Sequence, residues 1–192
     1  MKTVIKGELH RQPLYGPNSI FFGQSQNLPL TKYGEYIIVC PGAVIYAGTV
    51  IGSKVFIGDN ASIREKCIIG DNVTIGRNVM IEQSTVIGNG TKIQTGAYIT
   101  GNCFIGNDVF IGPEVVTTND KYMDDPTKKT KLEGPYIGNK SRIGANTTIL
   151  PGVVIGSEAI IGAGSVITKN VPPGVTIVGN PGKIIKWPKK KY

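Results

Sequence analysis

The chain has 192 residues, one domain's worth, and 40% of them are hydrophobic. Its 21 basic and 13 acidic side chains leave a formal charge of +8 at pH 7, which suits polyanionic ligands such as nucleotides or coenzyme phosphates without choosing among them. One histidine and three cysteines offer no zinc-ligand spacing, and no apolar run approaches membrane-spanning length.

Residues 1–38 show no regular period. Turn formers (Pro13, Gly16, Pro17, Asn18, Gly23, Pro29, Gly34) alternate there with apolar pieces at Ile20-Phe21-Phe22 and Tyr36-Ile37-Ile38. Repeat proteins need an atypical end over their first open unit, so the stretch reads as an N-terminal capping segment. The only histidine, His10, falls in it and is assigned a surface or cap role. Met1 to Glu8 lacks an apolar signal core, and the cysteine usage suits a reducing compartment, so the expected location is cytoplasmic.

A period of six then begins. Isoleucine recurs at every sixth position from Ile45 to Ile111 and again from Ile137 to Ile167, with a small residue four places later, as at Thr49, Val55, Ala61 and Cys67. Six fits neither the 3.6 of an amphipathic helix nor bare strand alternation. It fits a hexapeptide β-helix, in which three short strands and their turns close one triangular coil. With walls counted from Val39, the residue after the inward one is always glycine on the third wall (Gly52, Gly70, Gly88, Gly106). The second wall has Tyr46, Arg64, Glu82, Thr100 and, one coil further, Thr118 in that column. Coils stack ~4.8 Å apart, which puts Glu82 and Thr118 roughly 10 Å from each other. Cys67 and Cys103 are likewise two coils apart, beyond the ~7 Å Cα limit for a disulfide, and read as buried small hydrophobes.

Resumption of the beat at Ile137 on the third wall keeps the pattern in phase to the end, with residues 117–136 replacing one hexapeptide and adding fourteen residues. This loop projects from the chemically distinct second wall, and long excursions from a strict repeat are more often functional than not. Its Asn119-Asp120 also suits a simple turn. Val171-Pro172-Pro173-Gly174 breaks the strand pattern, and Lys189-Lys190-Lys191 reads as a solvated end. The expected organisation is a cap over 1–38, a β-helix over 39–172 with its loop at 117–136, and an extension over 173–192.

The segment from Ile161 to Lys169, with Val171-Pro172-Pro173-Gly174 and Gly179-Asn180-Pro181 after it, resembles the C-terminal signature of the hexapeptide-repeat acyltransferases. Ile111 to Asp120 resembles a subgroup that acetylates amino sugars on nucleotide-linked sugars in surface-glycan biosynthesis. The resemblance implies an all-β, left-handed parallel β-helix; handedness enters by this route alone. It also implies a homotrimer with acetyl-CoA as co-substrate, and no metal, in a groove between neighbouring prisms. Backbone N–H groups around Gly144-Ala145 and Ala163-Gly164 would line the pantetheine, and Lys169 or Lys183 would meet coenzyme phosphates. For these residues, plain coil turns and solvated surface lysines are the alternatives. The subgroup usually has Pro-Arg after its Asn-Asp, whereas Lys121-Tyr122-Met123 follows here.

Without a histidine near the loop, the chemistry is constrained. A sugar hydroxyl needs a positioned base, whereas an amine that titrates near ~8 is partly neutral at pH 7 and attacks a thioester once oriented. N-acetyl transfer is therefore favoured over O-acetyl transfer to a sugar or small alcohol. Asp120 and Asn119 would orient the amine and Glu82 relay the proton. Against this, Arg64 one coil below Glu82 invites a plain salt bridge. A zinc-dependent carbonic anhydrase-like relative needs three histidines, an ice-binding helix has no use for the loop, and the lysines lack the aromatic interleaving of a nucleic-acid surface. A small-molecule acceptor is expected, with no nucleic-acid or membrane partner.

Overall fold

The computed structural model describes residues 14–15, 17–18, 20–21, 31–129 and 131–188; His10 and the lysines from 189 onward lie outside them. The regular structure is wholly β, with parallel strands mostly two residues long stacked in three sheets of ten, eight and seven strands. Ile57, Ile75 and Ile93 stand opposite one another on the first wall, one coil apart. The whole is a left-handed parallel β-helix of about eight coils.

Strand alternation turns the isoleucine of each hexapeptide inward, and all eighteen from Ile45 to Ile167 are 2% exposed or less. The small residues four places later, Ala61, Cys67 and Thr85 among them, are buried where the wall bends. Between them, the third residue after each isoleucine takes the left-handed conformation, at Lys54, Asn60 and Asn72 for example (φ 58°, 55° and 55°). That position makes the corner.

The glycine after each third-wall isoleucine has another purpose. Along this edge Ser53 N–H donates to Asp71 Oδ1 at 2.7 Å. The N–H groups of Asp71, Asn89 and Asn107 donate in turn to Asn89, Asn107 and Asn139 Oδ1, each at 2.8 Å. The carboxamides climb one per coil and lie over the glycines below. A Cβ on Gly88 would stand 2.5 Å from Asn107 Oδ1, so side chains are excluded by close approach. The ladder passes from Asn107 to Asn139 across the inserted loop, and the prism is continuous there. Tyr136–Ile137 pairs with Phe104–Ile105, so the beat resumes on the third wall as its phase requires.

Both ends extend the stack. Leu14–Tyr15, Ile20–Phe21 and Lys32–Tyr33 pair with Ile38–Val39, Val44–Ile45 and Val50–Ile51, one strand on each wall, within the stretch assigned to the cap. At the other end Thr176–Val178 adds to the first wall, and Lys183–Lys186 folds back antiparallel on it as the edge strand. Cys67 and Cys103 are buried at 0% and 2% exposure, and burial pushes their thiols up to about 11 and about 12.

Candidate active site

The loop leaves the prism at a single substitution in the core. Second-wall N–H groups normally donate to the carbonyl one coil on, as Arg64 does to Ile81 and Glu82 to Ile99, both at 2.8 Å. Thr117 stands where that column has isoleucine, and the N–H of Thr100 donates to its hydroxyl instead, at 2.8 Å. The hydroxyl donates to Tyr98 O at 3.3 Å, and only Tyr98 and Val116 remain paired between these strands. A side-chain oxygen thus replaces the ladder carbonyl, and the backbone is released outward.

Asn119 ties the loop to the wall. Its Nδ2 donates to Gly101 O at 3.2 Å, and its carbonyl accepts Glu133 N–H at 2.9 Å. The returning strand is fixed by Gly152 N–H to Glu133 O at 2.9 Å and Asn102 Nδ2 to Leu132 O at 3.2 Å. A cleft of about 620 Å³ opens along this return, floored by Phe104 and Tyr136, bordered by Lys131, Glu133 and Pro135. The two rings are stacked, 4.8 Å between centroids.

Asp120 is fully exposed, and its carboxylate accepts N–H from Tyr122, Met123 and Asp124 at 2.9, 3.0 and 2.7 Å. It caps a tight turn in which Met123 and Asp124 have positive φ. Those N–H groups, Tyr122's first, hold the carboxyl below the usual carboxylate range, which weakens it as a base. Glu82 is in the opposite situation. The Arg64 guanidinium grips both oxygens of Glu65, at 2.8 and 3.1 Å, lies 4.9 Å above the Tyr46 ring, and approaches Glu82 only to 3.9 Å. The expected Arg64–Glu82 bridge is therefore secondary, because the adjacent Glu65 meets the guanidinium in bidentate geometry.

The four residues Gly144, Ala145, Ala163 and Gly164 form the corner between first and second walls in consecutive coils, joined by Gly164 N–H to Ala145 O at 2.8 Å. The N–H groups of Ala145 and Ala163 donate to no acceptor among the described residues, unlike the capped N–H groups of the third-wall edge. Lys169 is exposed just past the second wall in the last coil, and Lys183 begins the terminal strand on the first. The expected site residues therefore fall in two places: Glu82, Asn119, Asp120 and Lys169 along the second wall and its junction with the third, and the open N–H groups at the opposite corner. Sequence reasoning missed Thr117, whose signal was a threonine in a column of isoleucines, and Glu65. Among the described residues no three His, Cys, Asp or Glu side chains are grouped to hold a metal ion.

A family model described as GMPPB C-terminal domain matches residues 33–133, and one described as bacterial transferase hexapeptide (six repeats) matches residues 134–169. No curated protein sequence matches the chain. Among solved structures, GDP-perosamine N-acetyltransferase from Caulobacter crescentus, in complex with CoA and GDP-perosamine, is 24% identical over 77% of this chain and 55% of its own, with a TM-score of 0.55. The present chain thus spans little more than half that protein's length. A maltose O-acetyltransferase from Clostridium difficile 630 is 26% identical over 62% of this chain and 67% of its own, TM-score 0.54. UDP-N-acetylglucosamine acyltransferase from Campylobacter jejuni is 16% identical over 88% and 73%, TM-score 0.64.

Proposed function

The chain belongs to the hexapeptide-repeat acyltransferase family, its first half of the GMPPB C-terminal domain type, and on that premise we propose an acetyl-CoA-dependent N-acetyltransferase acting on a nucleotide-linked amino sugar in the cytoplasm. The observation that carries the reading is the placement of open backbone donors and loop polar groups on the two corners flanking one wall. Three parallel prisms whose second walls face a common threefold axis bring the first corner of each copy beside the loop corner of its neighbour. The two halves of the site then meet between copies, and one prism alone has neither half complete.

In this arrangement the N–H groups of Ala145 and Ala163 receive the thioester oxygen as it gains negative charge. Lys169 and Lys183 meet coenzyme phosphates. Asn119, held on Gly101 O, presents its carboxamide to the sugar amine, and Asp120 keeps the turn that fixes Asn119. The neutral amine attacks the carbonyl carbon, the C–S bond breaks, and CoA leaves as the thiolate. The proton lost by nitrogen passes through bridging water to Glu82, about 10 Å along the column, whose guanidinium neighbour is occupied by Glu65. The GDP-perosamine enzyme's substrate supports an amino-sugar acceptor, and the single histidine of the chain supports amine over hydroxyl.

Mass spectrometry after incubation with acetyl-CoA and a panel of nucleotide amino sugars and plain sugars tests the reading. One acetyl group on an amino sugar is expected. Acetylation of hydroxyl acceptors alone would make the protein an O-acetyltransferase, and no transfer to any acceptor would end the proposal.

A further inference from the structure

The terminal strand leaves an apolar face that the catalytic reading does not use. Ile184 turns inward and packs on the core, opposite Ile177. Strand alternation sends Ile185 and Trp187 the other way, and each is 63% exposed. Lys183 and Lys186 flank them, also exposed.

The charge around this face is one-sided. After Glu158 the chain contains no acidic residue, but it contains Lys169, Lys183, Lys186, Lys189, Lys190 and Lys191, six of the net eight positive charges. The preceding 158 residues are close to balanced, with 15 basic and 13 acidic side chains. A tryptophan and an isoleucine projecting side by side from a cluster of lysines combine two weak membrane signals, apolar insertion at headgroup depth and attraction to anionic lipid. Neither suffices alone; together they give reversible surface binding.

We propose that the terminal strand and its lysines form a docking face for an anionic lipid bilayer, with Ile185 and Trp187 entering the headgroup region and the lysines meeting lipid phosphates. The expectation of no membrane partner rested on the lack of a spanning segment, which concerns insertion and not surface contact. A nucleic acid would use the same charge and could stack on Trp187, but it has no use for an exposed aliphatic side chain beside it. The proposal does not depend on which acceptor is acetylated.

Trp187 is the only tryptophan of the chain, so its emission reports this face alone. Phosphatidylcholine vesicles containing phosphatidylglycerol should shift the emission to the blue and shield it from acrylamide, while phosphatidylcholine alone should do neither. Raising salt, or the substitutions Ile185→Ser and Lys186→Glu, should each weaken co-sedimentation with the anionic vesicles about ten-fold. Both side chains point outward, so unchanged melting of the variants verifies the fold. Three results would overturn the idea: emission indifferent to anionic vesicles; emission already blue and shielded without them, which would mean a protein contact covers the face; or duplex DNA binding as tightly, with no loss in Ile185→Ser.

Discussion

Replacing Thr117 by valine keeps the shape of the side chain and removes only its hydroxyl. That oxygen is the acceptor for Thr100 N–H, and Thr117 and Thr100 are 0% and 4% exposed, so water cannot take over. A buried N–H left without a partner costs about 1–3 kcal/mol, offset by about 0.8 kcal/mol for the extra buried methyl. The net loss of about 1–2 kcal/mol corresponds to a melting temperature lower by about 2–8 °C for a chain of this size. The orphaned N–H can recover only by drawing the carbonyl of Thr117 back into the ladder, which pulls the start of the loop toward the wall. Thr117→Val should therefore also change the rate of limited proteolysis between Tyr122 and Lys131. Thr117→Ser retains the hydroxyl and loses a methyl, so it should melt earlier while leaving the cleavage pattern of the parent. A valine variant as stable as the parent, with its loop cut at the parent's rate, would show that the hydroxyl does not launch the loop.

Gly88→Ala should destabilise by about 1–3 kcal/mol, read as a lowered urea midpoint, because the new Cβ meets the backbone of Gly106 and Asn107 at 2.6 and 2.7 Å. Asp120 has its folded pKa depressed by backbone N–H groups, so its support of the loop is complete above its ordinary value of 3.8 and is lost as pH falls through the lower folded value. Pepsin should accordingly cut the loop faster below pH 3.8, and the difference between the parent and Asp120→Asn should vanish there. In a Cys40→Ser background, Cys67 and Cys103 should ignore a thiol reagent at pH 8 and react only on unfolding, since their thiols titrate at about 11 and about 12.

The prism was legible because one residue type repeats. Each isoleucine marks a wall, the third-wall glycines mark the phase, and counting from Ile111 to Ile137 gave the wall on which the coil resumes. Those signals are local and periodic, and a solenoid repeats its contacts from coil to coil. The carboxamide ladder was present as Asp71, Asn89, Asn107 and Asn139 beside their glycines, but a period of eighteen within a period of six hides behind the stronger beat. The site was harder to read, since its residues are chosen by pairings that do not repeat. Arg64 has two carboxylates in reach, and only side-chain geometry assigns it to Glu65. The Asn119-Asp120 pair was open between a turn and an orienting role; the structure puts Asp120's oxygens on three loop N–H groups and leaves the carboxamide of Asn119 at the wall. The separation of the open N–H corner from the loop corner follows from wall numbering, but its consequence for assembly emerges only when the coil is closed.

Subunit complementation tests most directly whether the site is shared between copies. Asn119→Ala damages the loop corner, and Ala163→Glu obstructs the N–H corner, where residue 163 is exposed. Each variant alone should transfer little or no acetyl group. Unfolded and refolded together, the two chains should regain acetyl transfer, because mixed trimers contain junctions in which an intact corner of one variant faces an intact corner of the other. If the mixture stays as inactive as its components while parent chains treated in the same way recover full activity, the site is contained within one prism and the shared-site account is wrong.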